Sequence, residues 1–276
     1  MRVLLLGAGG MLAHDLIAHA PPDVALTPLG RAELDVTDHA ALARAIRDLG
    51  PAVVINAAGY TRVDDAERER GLAFAVNGVA PGAIGRAAAA ARATVVHFST
   101  DYVFDGEAGA AYREEDPPHP LNVYGESKLA GERALAASGA EFLIVRTQWL
   151  FGGCGRSFPR TMWERATQRL PTRVVADQTG RPTYTVDLAR VTWRVALEGV
   201  RGVLHAANAG VASRYDVARR VFAAAGAEHL VVPCTTTDFP TPARRPAWSV
   251  LDSTRLDRLL GVSLPDWEDA LRRFLS

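Results

Sequence analysis

Val3-Leu-Leu-Leu6 runs directly into Gly7-Ala-Gly-Gly10-Met-Leu-Ala13, and from there to about residue 150 short β-branched runs alternate with longer helical patterns. Alternation of that kind leaves few architectures open. The pattern predicts strands at Val3–Leu6, Val24–Leu29, Val53–Ile55, Thr94–Phe98 and Phe142–Val145, with Pro28 weakening the end of the second. Helices are expected over Met11–Ala20, from an Asp38 N-cap to Leu49, and from about Glu69 to Ala91. Strands separated by helices pair in parallel through right-handed crossovers, so the reading is an α/β fold, a doubly wound parallel sheet of the Rossmann type. Ligands of such sheets lie at the carboxyl ends of the strands, where Gly7, Ala57-Ala58, Ser99-Thr100 and Arg146-Thr147 all fall.

Beyond Phe151 the pattern is less regular. Gly152-Gly-Cys-Gly155 reads as a flexible loop and Asp177–Tyr184 as a turn-rich segment. Helices are expected over Asp187–Gly199, Arg214–Ala225 and Trp267–Leu275, with a strand at Val203–Ala206. We therefore expect a dinucleotide-binding domain over 1–150 and mainly a smaller substrate-binding lobe over 151–276, discontinuous where segments return to the main sheet.

Lys plus Arg and Asp plus Glu number 31 each, so no bulk field favours nucleic acid or a membrane surface. No apolar stretch reaches the ~18 residues that span a bilayer, and the break at Gly7 is too early for a signal sequence. Cys154 and Cys234 form no CxxC pair, and the seven histidines show no ligand spacing, so no metal site is expected. The natural reading is a cytoplasmic protein.

In the glycine turn, Gly7 permits a tight bend from strand to helix. Gly10 lets backbone approach a pyrophosphate at the helix N-terminus, and Ala13 fills the third small position. At the end of the second strand Arg31 suits a ribose 2′-phosphate and so NADPH, with NADH the alternative. Asp35-Val36 follow where the adenine edge would lie.

Tyr124 and Lys128 are one helical turn apart and share a face. A phenol titrates near pH ~10 and is a poor acid–base group unless its anion is stabilised, which an ammonium one turn away can do. The Thr100 hydroxyl, from a strand end opposite that face, would hold a carbonyl oxygen for Tyr124.

With these residues the chain resembles the extended short-chain dehydrogenase/reductase superfamily, and within it the dTDP-4-dehydrorhamnose reductase family. The most specific strings are Ser99-Thr-Asp-Tyr-Val-Phe-Asp-Gly106 and Ala243-Arg-Arg-Pro246. Asn56–Thr61, Tyr124-Gly-Glu-Ser-Lys128 and Arg146–Gly152 support them, and the resemblance covers essentially the whole chain. It implies reduction of the 4-keto group of a dTDP-4-keto-6-deoxy sugar, dTDP-6-deoxy-L-lyxo-4-hexulose, to dTDP-L-rhamnose. Tyr124 is then the proton donor, Lys128 its partner and Thr100 the carbonyl-orienting group. Thr100, Asp101 and Trp149 contact the sugar. Gly10, Met11, Leu12, Asp35, Val36, Gly59, Tyr60 and Thr61 contact the cofactor with Tyr124 and Lys128, beside Gly7 and Arg31 read from the turn and the second strand themselves, and Asn77 orders the site. Arg244 and Arg245 are candidates for the substrate diphosphate. Some members are magnesium-linked dimers, but no Mg2+ ligands are identified here, and monomer and homodimer stay open.

The family's usual Arg-Thr-Ser-Trp is Arg-Thr-Gln-Trp here, placing Gln148 beside the sugar. Related dehydratases need Asp-Glu after the threonine, whereas Tyr102 follows Asp101, which disfavours dehydration. The remaining alternatives are a reductase of another dTDP-4-keto-deoxysugar and a non-catalytic NADP-binding regulatory subunit.

Overall fold

The computed structural model describes residues 1–276. Along the chain run β1 (Arg2–Leu6), α1 (Met11–Ala18), β2 (Ala25–Leu29), α2 (His39–Leu49), β3 (Val53–Asn56), α3 (Val63–Ala66), α4 (Arg70–Ala73), α5 (Ala80–Ala91) and β4 (Thr94–Thr100). Then follow α6 (Val123–Ala136), β5 (Phe142–Thr147), β6 (Leu150–Phe151), α7 (Phe158–Thr167), β7 (Thr172–Val175), β8 (Thr179–Gly180) and β9 (Thr183–Tyr184). The chain closes with α8 (Thr185–Leu197), β10 (Gly202–His205), β11 (Ala212–Ser213), α9 (Arg214–Ala224), β12 (Val231–Cys234), α10 (Thr254–Leu260) and α11 (Trp267–Leu275).

Six strands form the main sheet in the order β10-β5-β4-β3-β1-β2, and all neighbours are parallel. The order reverses between β1 and β3, which opens a crevice at their carboxyl ends. Side chains alternate between the faces. Val3 and Leu5 join Ile55, Phe98 and Val145 under α1 and α8, whereas Leu4 and Leu6 join Val54, Val95 and Ile144 under α2 and α5. Both faces are thus buried, as near-continuous apolar strands require. Pro28 is tolerated because β2 is the edge strand, where one row of N–H groups pairs with nothing.

Several expected boundaries shift by one to three residues. The largest difference is the helix read as continuous from Glu69 to Ala91. It is two α-helices joined by a π-helical turn at Phe74–Val79, across which the Ala80 N–H donates to the Ala75 carbonyl. Pro81 has no N–H to offer the turn before it, so an α-register is not available there. Gly131 of α6 packs on the Asn77 carbonyl so closely that a Cβ would sit 1.9 Å from it.

β10 and α8, from the second half of the chain, complete the main sheet and its cover. A separate core of Phe151, Met162, Val174, Val221, Phe222, Trp267 and Leu271 lies among α7, α9 and α11. No helix is long and apolar enough to cross a membrane.

Candidate active site

Two adjoining cavities follow the crevice. The first, about 480 Å3, is lined by Gly7, Gly10, Arg31, Asp35, Val36, Gly59, Tyr60 and Thr61, all read from the sequence as cofactor positions. Leu34, Arg62, Leu72 and Val76 line it as well. The second, about 710 Å3, holds Met11, Leu12, Thr100, Asp101, Tyr124, Lys128 and Trp149. Gly10, Ala57, Ala58, Gly59 and Thr61 border both, so they form one continuous groove.

At the turn Gly7 adopts φ +80°, and a Cβ there would lie 2.5 Å from the Ala58 nitrogen. Only glycine allows β1 and β3 to approach this closely. Ala13 is fully buried behind the turn, as the third small position demands. Arg31 donates through Nε to Asp35 at 3.1 Å while remaining largely exposed at the groove. Glu33 is turned back to accept from the Gly30 N–H at 2.9 Å. The second strand therefore ends in a guanidinium at the groove, with its carboxylate occupied elsewhere. Hydrogen bonds from Thr37 hold the Asp35 carboxyl below its usual range.

Asn77, on the π-turn, braces the next stretch of lining. Its Oδ1 accepts from the Tyr60 N–H at 2.8 Å, and its Nδ2 donates to the Tyr60 carbonyl at 2.9 Å and to Ser127 Oγ at 3.1 Å. One side chain thus ties the Gly59–Thr61 segment to α6.

Helix α6 carries Tyr124 and Lys128, and its position is over-determined. Asn122 caps it by accepting from the Gly125 N–H at 2.8 Å, and Glu67 accepts from the Val123 N–H at 2.9 Å. A Cβ on Gly125 would meet the Tyr102 carbonyl at 2.1 Å, so this glycine sets how near the helix comes to the segment after β4. The buried Glu132 and Arg146 make a two-pronged pair at 2.9 and 2.8 Å that fixes α6 to β5. Removing one partner of such a pair costs about 3–5 kcal/mol.

Thr100, at the end of β4, donates to Asp101 Oδ1 at 3.0 Å and accepts from the Tyr102 N–H at 3.2 Å. Burial raises the Tyr124 phenol above its ordinary value, the Thr100 hydroxyl opposes that, and Asp101 and Tyr102 add to it. Lys128 lies one turn further along α6. Its ammonium is buried and donates to the Phe98 carbonyl at 2.5 Å, and burial brings its pKa down to about 8. The spacing suggested a phenol acidified by the lysine; in this structure the Tyr124 proton is held more tightly. Burial also raises the Asp101 carboxyl to about 6, against the influence of Ser249, Thr100 and Arg214.

Trp149 takes φ +49°, a left-handed conformation unusual for a bulky residue. The Arg214 guanidinium lies 3.6 Å from its ring centroid, and Gly180 leaves room for the ring, since a Cβ there would be 2.7 Å from it. One face of the ring is therefore already covered.

Arg245 makes a fork onto Asp64 at 3.0 and 2.7 Å. Arg244 is exposed, with only Glu107 at 3.8 Å. Arg156, Ser157, Phe158 and Arg214 also line the second cavity, none of them marked by a motif. Among its lining residues, Ser99 Oγ, Asp101 Oδ2, Thr147 Oγ1 and Gln148 Nε2 are buried without a hydrogen-bond partner. No group of three or more His, Cys, Asp or Glu side chains is arranged to hold a metal ion.

A family model described as the RmlD substrate binding domain matches residues 1–276. The chain is 43% identical to the dTDP-4-dehydrorhamnose reductase of Mycolicibacterium smegmatis, over 98% of this chain and 84% of the relative. It is also 43% identical to a probable dTDP-4,6-dihydroxy-2-methyloxan-3-one 4-ketoreductase of Streptomyces antibioticus, over 99% of this chain and 94% of the relative. The crystal structure of the Bacillus anthracis dTDP-4-dehydrorhamnose reductase in complex with NADP superimposes with a TM-score of 0.95. The two are 35% identical, with 99% of this chain and 98% of that one covered.

Proposed function

The chain belongs to the RmlD substrate-binding family, and we propose that it is an NADPH-dependent reductase of a dTDP-4-keto-6-deoxyhexose, converting dTDP-6-deoxy-L-lyxo-4-hexulose to dTDP-L-rhamnose. The observation that carries the reading is that Thr100, Tyr124 and Lys128 all line the cavity that continues the glycine-turn groove. The relatives named as reductases and the NADP-bound structural neighbour support it.

The groove suits a dinucleotide on the observations of this chain alone. Gly7 removes the Cβ that would block the turn, and Arg31 offers a fork to a 2′-phosphate, which favours NADPH over NADH. Leu34, Val36, Leu72 and Val76 offer apolar walls for the adenine. When bound, the reduced nicotinamide supplies a hydride to the carbonyl carbon.

Tyr124 gives its proton to the oxygen that becomes the alkoxide, so the keto group gains one hydride and one proton and ends as a secondary alcohol. A phenol whose pKa is raised by burial stays protonated at neutral pH, which is the state a reduction needs. Thr100 Oγ1, which donates to Asp101 in the free protein, would turn its proton to the same oxygen and fix its orientation. Lys128 provides positive charge behind Tyr124 as negative charge develops on the phenol.

A reductase of another dTDP-4-keto-deoxysugar is a second reading, favoured by the equal identity to the Streptomyces antibioticus ketoreductase. Incubating the protein with NADPH and freshly generated dTDP-6-deoxy-L-lyxo-4-hexulose tests the first. Stoichiometric NADPH oxidation with dTDP-L-rhamnose as product supports it. Absence of oxidation by folded, cofactor-binding protein overturns it.

A further inference from the structure

Arg214 opens α9, directly after the Ser213 N-cap, whose hydroxyl accepts from the Asp216 N–H at 3.0 Å. A cation is disfavoured at this positive end of a helix, and Arg214 gains no ion pair in return. Arg245, in the same cavity wall, is neutralised by Asp64 at 2.7 Å. The groups that favour the Arg214 charge are Tyr102, a phenol that burial keeps protonated, and Asp101, which stands beyond ion-pair distance. Asp101 Oδ1 already accepts from Thr100.

The side chain is nevertheless held in place. Its guanidinium covers the Trp149 ring at 3.6 Å from the centroid and lies 5.3 Å from that of Phe158. Stacking occupies the flat face of a guanidinium and leaves the N–H donors on its rim free. No Arg214 nitrogen is both sealed from solvent and without a partner. The residue is partly exposed and lines the cavity that holds Thr100 and Tyr124, so a ligand there reaches its free donors.

The cavity as a whole favours an anion. Lys128, Arg156, Arg214 and Arg245 line it against two carboxylates, Asp64 and Asp101, which leaves an excess of two positive charges. On the reductase reading, the phosphates of the dinucleotide belong to the glycine turn and to Arg31, along the first cavity, which Arg214 does not line. A sugar hydroxyl or a base carbonyl would accept a hydrogen bond but leave the charge uncompensated. The diphosphate is the one anionic group of a dTDP-hexose.

We propose that Arg214 holds the diphosphate of the substrate, donating a fork of N–H groups to its oxygens, in place of the Arg244-Arg245 pair singled out by motif. Arg244 is not among the cavity's lining residues. The proposal rests on the reductase reading and deepens it. Trp149, the expected flank of the hexose, carries on its ring the cation that anchors the group on C1.

Calorimetry of dTDP binding to the NADP-loaded protein tests the contact without turnover and without the sugar. Arg214→Gln should weaken dTDP about tenfold to a hundredfold, the range of a hydrogen bond to a charged group, with Tm and NADPH affinity unchanged. Arg214→Lys, which keeps the charge and loses the fork, should recover part of the affinity. Raising the salt concentration should weaken dTDP less in Arg214→Gln than in wild type. Wild-type dTDP affinity in Arg214→Gln, a loss with the salt dependence intact, or a loss in Arg244→Gln but not in Arg214→Gln each overturns the proposal. So does a wild-type protein that binds no dTDP. NADPH oxidation with dTDP-6-deoxy-L-lyxo-4-hexulose decides the reductase reading separately. Arg214-dependent dTDP binding without oxidation would keep the contact and sink that reading; oxidation with dTDP affinity unchanged in Arg214→Gln would do the reverse.

Discussion

The Lys128 ammonium donates to the Phe98 carbonyl at 2.5 Å, reaching from the middle of α6 across to strand β4, two residues before its end, rather than along its own helix to Tyr124. It is a buried cation with one fixed partner, and Glu132 is the group whose charge favours keeping it charged. Two opposing effects meet here. Burial favours losing the proton, whereas the role of positive charge behind a developing phenolate needs it kept.

With a Lys128 pKa of about 8, the charged form dominates at neutral pH and is lost as pH rises. The kcat/KM for reduction should therefore be level through neutrality and fall above about pH 8, since this ratio reports groups of the free enzyme. Lys128→Arg, which cannot deprotonate, should abolish that fall while lowering the level itself. A pH profile recorded for both proteins checks this, and an unchanged alkaline limb in the variant would separate it from Lys128.

Asp101 predicts a stability effect with a defined sign. Its carboxyl is raised from 3.8 to about 6 in the folded protein. Between those values the native state keeps a proton that the unfolded chain has released, so stability falls as pH rises through the window. The cost is complete above about pH 6. At about 1.4 kcal/mol per pH unit it amounts to at most about 3 kcal/mol. Asp101→Asn should be more stable than wild type by about 1–3 kcal/mol near pH 7, and the difference should vanish near pH 4. Denaturant unfolding at the two pH values measures it.

Arg31 should govern cofactor choice. A hydrogen bond to a charged group contributes about 1.5–3 kcal/mol, so Arg31→Ala should weaken NADPH about tenfold to a hundredfold and leave NADH nearly unchanged. Fluorescence titration with both cofactors is the direct check. Equal losses for the two would mean that Arg31 does not meet a 2′-phosphate.

Gly125 tests how α6 is placed. A methyl group there would sit 2.1 Å from the Tyr102 carbonyl, so Gly125→Ala must push the helix outward or fail to pack. Overpacking of this kind should cost about 3 kcal/mol, visible as a lower Tm, and turnover should fall with it because Tyr124 is the preceding residue.

The parts of this molecule that were legible in the sequence are those encoded locally. Gly7, the apolar strand before it and the Tyr124–Lys128 spacing carry their geometry within a few residues, and Gly7, Gly10, Tyr124 and Lys128 all line the groove. The parallel pairing of the sheet also follows, because alternation of strands and helices permits little else. Other features depend on chain segments meeting from afar. Arg214 reaches the Trp149 ring only because β11 returns to pair with β8, sixty-odd residues after β5, and no motif announces that return. Arg245, a candidate for substrate phosphate, is instead committed to Asp64, a partner 181 positions away. The π-turn at Phe74–Val79 sits inside an otherwise continuous helical pattern, where Asn77-Gly78 and Pro81 weaken the helix without specifying a π register.

Single-turnover hydride transfer compared between wild type and Tyr124→Phe is the most direct test of the mechanism. Each protein is loaded with NADPH and mixed with dTDP-6-deoxy-L-lyxo-4-hexulose, and the nicotinamide absorbance is followed. Removing one hydroxyl should leave Tm unchanged and, at saturating NADPH, slow the step about a hundredfold to ten-thousandfold, the usual contribution of a positioned acid. Wild-type rates in the variant would contradict the assignment of Tyr124 as proton donor.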